Sequence, residues 1–154
     1  MIRRRLGEDR ERGVSAVEFA VLMPVFLPLI FLLVQAGLYY HAVNVTHAVA
    51  QTTARVIRTY PGGVGQAPVT QVPSGGQLTP QANRVAVETW QALDANKTSS
   101  QPTATVDVDV NGSNQLTVTI NSTCINLLPG ILPTLPITAQ ASGPIEIFKP
   151  QGTN

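Results

Sequence analysis

The sequence predicts an α+β fold: a long N-terminal transmembrane and amphipathic helix packed on a small domain with one short helix and a three- to four-stranded antiparallel sheet. Three observations predict it. A charge-free apolar run occupies Phe19–Tyr40, an amphipathic stretch follows it, and two alternating segments flank an Asn-Gly turn at Asn111-Gly112. Charged residues make up only 12% of the 154, about half the share in an ordinary soluble domain. The net charge of +1 hides an asymmetry, because Arg3, Arg4, Arg5, Arg10 and Arg12 crowd the first thirteen positions. No basic face interleaved with aromatics appears beyond them, so no nucleic-acid partner is expected. A single cysteine, Cys124, excludes an intramolecular disulfide framework.

The apolar run FAVLMPVFLPLIFLLVQAGLYY contains 22 residues without a charge. As a helix it extends about 33 Å, enough to cross a hydrocarbon core of roughly 30 Å. Inside such a core each backbone polar group needs an internal partner, which selects a helix. The arginines lie just before the run, and the positive-inside rule puts the N-terminus in the cytoplasm and the rest of the chain outside it. Tyr39 and Tyr40 close the span with rings suited to the interface. Pro24 and Pro28 fall inside it at i, i+4; each removes one backbone hydrogen bond, so a kink is expected around Ala20–Pro28. The run is longer than the apolar core of a secretory signal. The nearest Ala-x-Ala, at Ala48–Ala50, also lies too far beyond it for an ordinary cleavage region.

From His41 to Arg58 the helix is expected to continue, with Ala42, Val45, Val49 and Val56 forming an apolar stripe and Asn44, Gln51 and Arg55 the polar face. His41 and His47 near this stripe read as polar packing rather than metal ligands, with no carboxylate or cysteine near them in sequence to complete a site. Pro61-Gly62-Gly63 ends the helix, and the Gly- and Pro-rich residues 61–79 read as a linker. Thr79-Pro80 supplies an N-cap and a first-turn proline for a short helix reaching about Asn96, buried through Ala82, Ala86, Trp90 and Leu93.

Thr103–Val110 and Gln115–Cys124 alternate with period two and are joined through Asn111-Gly112, which predicts a β-hairpin. Ala104, Val106 and Val108 share its inner face with Leu116, Val118, Ile120 and Ser122. Asp107 and Asp109 fall on the outer face, where they read as solvated charges rather than calcium ligands. Cys124 reads as a small buried apolar residue. Leu127–Pro136 forms an apolar loop broken by prolines. Ile137–Phe148 then supplies one or two closing strands, interrupted at Ala141-Ser142-Gly143-Pro144. No catalytic triad, metal cluster or phosphate loop emerges, so no enzyme, cofactor or metal is expected.

Glu18 stands at the doorway of the apolar helix, in Gly13-Val14-Ser15-Ala16-Val17-Glu18-Phe19. A glycine, four residues, a glutamate, an aromatic and a long apolar helix resemble the class III signal of type IV pilin-like proteins. More narrowly, Arg12–Arg55, with Gly13, Val17-Glu18-Phe19-Ala20, Pro24 and Tyr40, resembles the TadE-like family, minor pseudopilins of the tight-adherence (Tad, or Flp) pilus systems of bacteria. The resemblance implies that residues 1–13 are a cytoplasmic leader, and the rest of the chain as read above is compatible with a pilin-like layout: 14–60 as the N-terminal helix with its span at 19–40, 61–79 as linker and 80–154 as an extracytoplasmic α+β domain. It implies cleavage between Gly13 and Val14 by a prepilin peptidase, and pairing of Glu18 with the α-amine that cleavage creates on a neighbouring subunit. Its implied partners are membrane lipid, the peptidase, the pilus platform proteins with their ATPase, and the major Flp pilin or other pseudopilins. From the residues alone, a permanently anchored extracytoplasmic binding domain without processing is the alternative.

Overall fold

The computed structural model describes residues 5–61, 71, 73–109 and 114–146, with side chains from Ala16 onward. Helix α1 spans Arg5–Thr59 and helix α2 spans Gly75–Leu93. Strands β1 (Thr103–Asp109), β2 (Gln115–Cys124) and β3 (Leu135–Pro144) form an antiparallel sheet in the order β1-β2-β3. This is the α+β layout expected from the sequence. The chain divides into two compact units, residues 1–37 and 38–154.

In the first unit α1 runs through Pro24 and Pro28 without interruption. Each proline lacks the N–H that would reach back one turn, so the carbonyls of Ala20 and Pro24 lose their helical partners. The apolar side chains from Val17 to Val34 are exposed except for half-buried Met23, and the best window of this helix, of mean hydropathy 2.5, has no buried part. Gln35, by contrast, is 3% exposed.

In the second unit the last five turns of α1 form one wall of the core. Val45, Val49, Ala50, Ala54 and Ile57 pack with Leu78, Ala82 and Ala86 of α2 and with Ala104, Val106, Leu116, Val118, Ile120 and Ala139 of the sheet. The expected stripe holds at Ala42, Val45 and Val49 but ends on Ile57, which is fully buried, whereas Val56 is half-buried. Steps of four from Val49 reach Thr53 and then Ile57, so the helical period favours position 57. Polar residues also enter the stripe: the Thr46 hydroxyl donates to the Ala42 carbonyl at 2.8 Å and lies 3.1 Å from the Ser122 hydroxyl of β2. Asn44, Gln51 and Arg55 are exposed, as expected of the polar face, and so are His41 and His47.

Helix α2 begins five residues before the expected Thr79-Pro80 start. Ser74 is its N-cap, with the backbone N–H of Ser74 donating to Gln77 Oε1 at 3.3 Å and that of Gln77 to the Ser74 carbonyl at 3.0 Å. Pro80 therefore sits inside the helix, with the carbonyl of Gly76 opposite its missing N–H. Gly75 is demanded by packing, since a Cβ there would run into the Val106 carbonyl of β1. The helix ends at Leu93, short of Asn96. Leu93 is exposed, while Leu78 takes the buried place at the other end of the stripe.

The β1–β2 register runs from Thr103↔Asn121 to Asp109↔Gln115, giving the expected hairpin; its turn, Asn111-Gly112-Ser113, lies outside the described residues. The alternation is as expected: Leu116, Val118, Ile120, Ser122 and Cys124 are buried, and Asp107 and Asp109 are exposed. The closing segment differs. β3 is one strand that starts at Leu135 and passes straight through Ala141-Ser142-Gly143-Pro144. A proline suits the end of an edge strand, where no ladder bond is lost. Pro136 pairs with Thr123 and Pro144 with Gln115, near the two ends of an edge strand. Residues 147 and 148 of the expected strand lie outside the described residues.

Candidate functional site

The residues singled out from the sequence, Gly13, Val14, Glu18, Pro24 and Pro28, all belong to α1. Their backbone is therefore one continuous helix, and side chains before Ala16 are outside the described residues. Val14 and Glu18 are four positions apart, a rise of about 6 Å along the axis. Glycine lowers helix stability by about 1 kcal/mol relative to alanine, so the Gly13–Val14 bond sits at a weak point of α1.

Glu18 is exposed and lies among exposed apolar side chains: Val17 is 63% exposed, Phe19 60%, Val21 69% and Leu22 64%. A carboxylate at the edge of such a surface is stabilised by a cation or by the positive end of a helix dipole. α1 is a candidate membrane span by length and composition, the one such helix among the described residues. Its apolar surface is what water disfavours and a bilayer accepts, which is consistent with membrane anchoring.

Elsewhere the second unit brings together polar groups that sequence reasoning missed. Asp94, at the C-cap of α2, is 2% exposed. Its Oδ1 accepts from the Thr98 N–H at 2.8 Å and hydroxyl at 2.9 Å. Its Oδ2 accepts from the Ser99 N–H at 2.9 Å, the Ser99 hydroxyl at 2.8 Å and Trp90 Nε1 at 3.1 Å. Burial works to raise the Asp94 pKa, but the hydrogen bonds from Thr98 and Ser99 outweigh it and leave the group below its ordinary value. All its oxygens face inward donors, so the cluster holds structure rather than substrate. A signal was present in Asp94-Ala95-Asn96-Lys97-Thr98-Ser99, an aspartate followed at short range by hydroxyl residues. Trp90 is thus tied at both its ring and its N–H, which also donates to the Ser99 hydroxyl at 2.9 Å.

Cys124 is 6% exposed and packs with Ala42 and Ile137, beside Leu38, Val43 and Leu135. Burial, then the nearby Asp94 charge, push its thiol above the ordinary range, so it is a weak nucleophile. Among the described residues no group of three His, Cys, Asp or Glu side chains is placed to hold a metal ion.

No curated protein and no solved structure matches the chain. Residues 13–55, from Gly13 through Glu18 and the apolar run to Arg55, match the family model described as TadE-like protein, the family that the Gly13–Glu18 region resembles.

Proposed function

We propose that this chain is a minor pseudopilin that takes part in assembly of a Tad/Flp-type pilus. In this reading a prepilin peptidase cuts after Gly13 on the cytoplasmic face of the membrane and removes residues 1–13. The remaining helix stays in the membrane through residues 19–40, with its C-terminal domain outside the cytoplasm. The observation that carries the reading is the TadE-like match, which begins at Gly13 and includes Glu18. Involvement in a Tad pilus system is what that family suggests, and its partners are the peptidase, the platform proteins with their ATPase, and the major pilin or other pseudopilins.

The chemistry supports the same assignment. A peptidase reads extended backbone, and a glycine inside α1 both eases local unwinding and leaves room for close approach. Cleavage turns the Val14 nitrogen into an α-amine, a cation with a pKa of about 7.7–8.0 in water. Glu18 then supplies the opposite charge at the edge of the apolar slab, where two such groups are costly apart and tolerable together. Pro24 and Pro28 loosen the helix just beyond, which suits a subunit that must repack on leaving the bilayer.

N-terminal sequencing of the protein extracted from membranes tests this directly. Val14 is expected as the first residue, and Gly13→Leu should leave the full-length precursor. Recovery of Met1 in the presence of a working peptidase would overturn the reading and favour a permanently anchored binding domain. Glu18→Ala should be cut normally yet fail to enter the pilus machinery, and unaltered assembly would remove the charge-pairing role.

A further inference from the structure

The β2–β3 connection carries a surface that the fold does not use. Residues 125–134 read Ile-Asn-Leu-Leu-Pro-Gly-Ile-Leu-Pro-Thr, within a stretch from Val110 to Ile145 that holds no Asp, Glu, Lys or Arg. Ile131 at the tip is 77% exposed, and Ile125 and Leu127 are exposed at 42% and 40%. Meanwhile several backbone groups of this loop are hydrogen-bonded within the domain. Asn126 Nδ2 donates to the Leu132 carbonyl at 2.7 Å, and Asn126 Oδ1 accepts the Leu128 N–H at 2.9 Å. The Leu128 carbonyl accepts the N–H groups of Ile131 at 3.1 Å and Leu132 at 3.0 Å, and the Ile125 N–H goes to the Thr98 carbonyl at 2.9 Å. Pro129 and Pro133 have no N–H to satisfy. Exposed apolar side chains over internally bonded backbone groups favour entry into a medium poor in hydrogen-bond partners.

The position of the loop supplies its partner. Cys124 and Leu135, which flank it, pack in one cluster with Leu38, Ala42 and Val43 of α1. That is the point where α1 continues from the domain into its apolar run, and Tyr39 and Tyr40 are exposed there at 37% and 71%. A bilayer crossed by residues 19–40 has its headgroup region at the level of these tyrosines. We infer that the β2–β3 loop is a second membrane contact, placing Ile131 and Leu127 in the interfacial region of the leaflet from which the domain emerges. The inference rests on the reading of α1 as a membrane span. Because the loop is uncharged, insertion is driven by apolar area and not by anionic headgroups, so it persists at high salt.

The test uses the full chain in vesicles of phosphatidylethanolamine and phosphatidylglycerol. In a Cys124→Ala background, Ile131→Cys carries the fluorophore NBD, and nitroxide-bearing lipids act as the quencher. Leu33→Cys reports the span, Thr105→Cys the polar face of the sheet, and Trp90 emission the integrity of the fold. The Ile131 probe should be blue-shifted and lose most of its emission to the lipid quencher, unchanged by salt, while the Thr105 probe keeps its emission. Quenching at Leu33 with Ile131 behaving like Thr105 would overturn the loop contact and leave the span standing. No quenching at Leu33 would sink the span and the loop contact together. Shielding of Ile131 from aqueous iodide without lipid quenching, relieved by diluting the protein in lipid, would assign the loop to a second copy of the chain and overturn the inference.

Discussion

Asp94 shows how a single side chain determines the geometry between two elements. Its two carboxylate oxygens accept five hydrogen bonds in the turn from α2 toward the sheet, from the backbone and hydroxyls of Thr98 and Ser99 and from the Trp90 ring. Replacing it with alanine strands these donors in a buried site, and each lost charge-assisted bond contributes on the order of 1.5–3 kcal/mol singly, less when summed because the donors relax together. Asp94→Ala is therefore expected to lower the unfolding free energy of the domain by about 3 kcal/mol in a denaturant titration. The pH dependence has a definite sign. Since the folded pKa lies below the unfolded one, the contribution of Asp94 is fully present above the ordinary aspartate range, about pH 4–5, and is lost as pH falls through the depressed folded value. Wild-type stability should fall over that acid window, and Asp94→Asn, which cannot titrate, should lose that component of the slope. An unchanged slope would assign the acid sensitivity to other carboxylates.

At the scale of elements, the sheet has an edge to protect and α2 protects it. The N–H groups of Ala104 and Val106 on β1 are taken by side chains of α2, Asn83 Oδ1 at 2.7 Å and Thr79 Oγ1 at 3.4 Å. Covering an edge with a helix removes a template for unwanted strand pairing. It also brings two backbones so close at Gly75 and Val106 that only glycine fits. Gly75→Ala should cost about 1–3 kcal/mol, the range for overpacking, although alanine is the better helix former. Gly76→Ala has open space around its added methyl and should be neutral or stabilising, and equal effects of the two in thermal unfolding would refute the close approach. This contact explains what was legible in the sequence and what was not. The span, the amphipathic continuation and the hairpin rest on periodicities inside one segment, so residues 19–58 and 103–124 announce themselves. The resemblance around Gly13 and Glu18 is equally local. The early start of α2 and the unbroken β3 depend on partners far along the chain. Gly-Gly at 75–76 looks like a linker until Val106 is beside it, and Gly143-Pro144 looks like a break until Leu116 and Gln115 pair with it. Arg58, whose guanidinium lies over Gly143, adds a further reason for a residue without a side chain there.

For the whole molecule, the division at Gly37 and Leu38 separates an apolar rod from a domain with its own core. Every buried member of that core comes from residue 42 or later, and the wall supplied by α1 runs from Ala42 to Ile57. A helix built largely of β-branched and small residues has modest intrinsic propensity, so Val45–Ile57 is held helical mainly by its packing on α2 and the sheet. Val118 and Ile120 of the sheet are buried in one cluster with this helix and α2, and a three-stranded sheet requires an apolar face packed on something to persist. Helix end and sheet are consequently one cooperative structure. A fragment beginning at Leu38 should fold in water with mixed helical and strand circular dichroism and a single cooperative thermal transition. A fragment beginning at Gln51 loses Ala42, Val45, Val49 and Ala50, several buried side chains at about 1–3 kcal/mol each, more than a small domain holds in reserve. It should show no such transition. If the shorter fragment melted as cooperatively as the longer one, the C-terminal half of α1 would be an appendage, and the domain would owe its stability to α2 and the sheet alone.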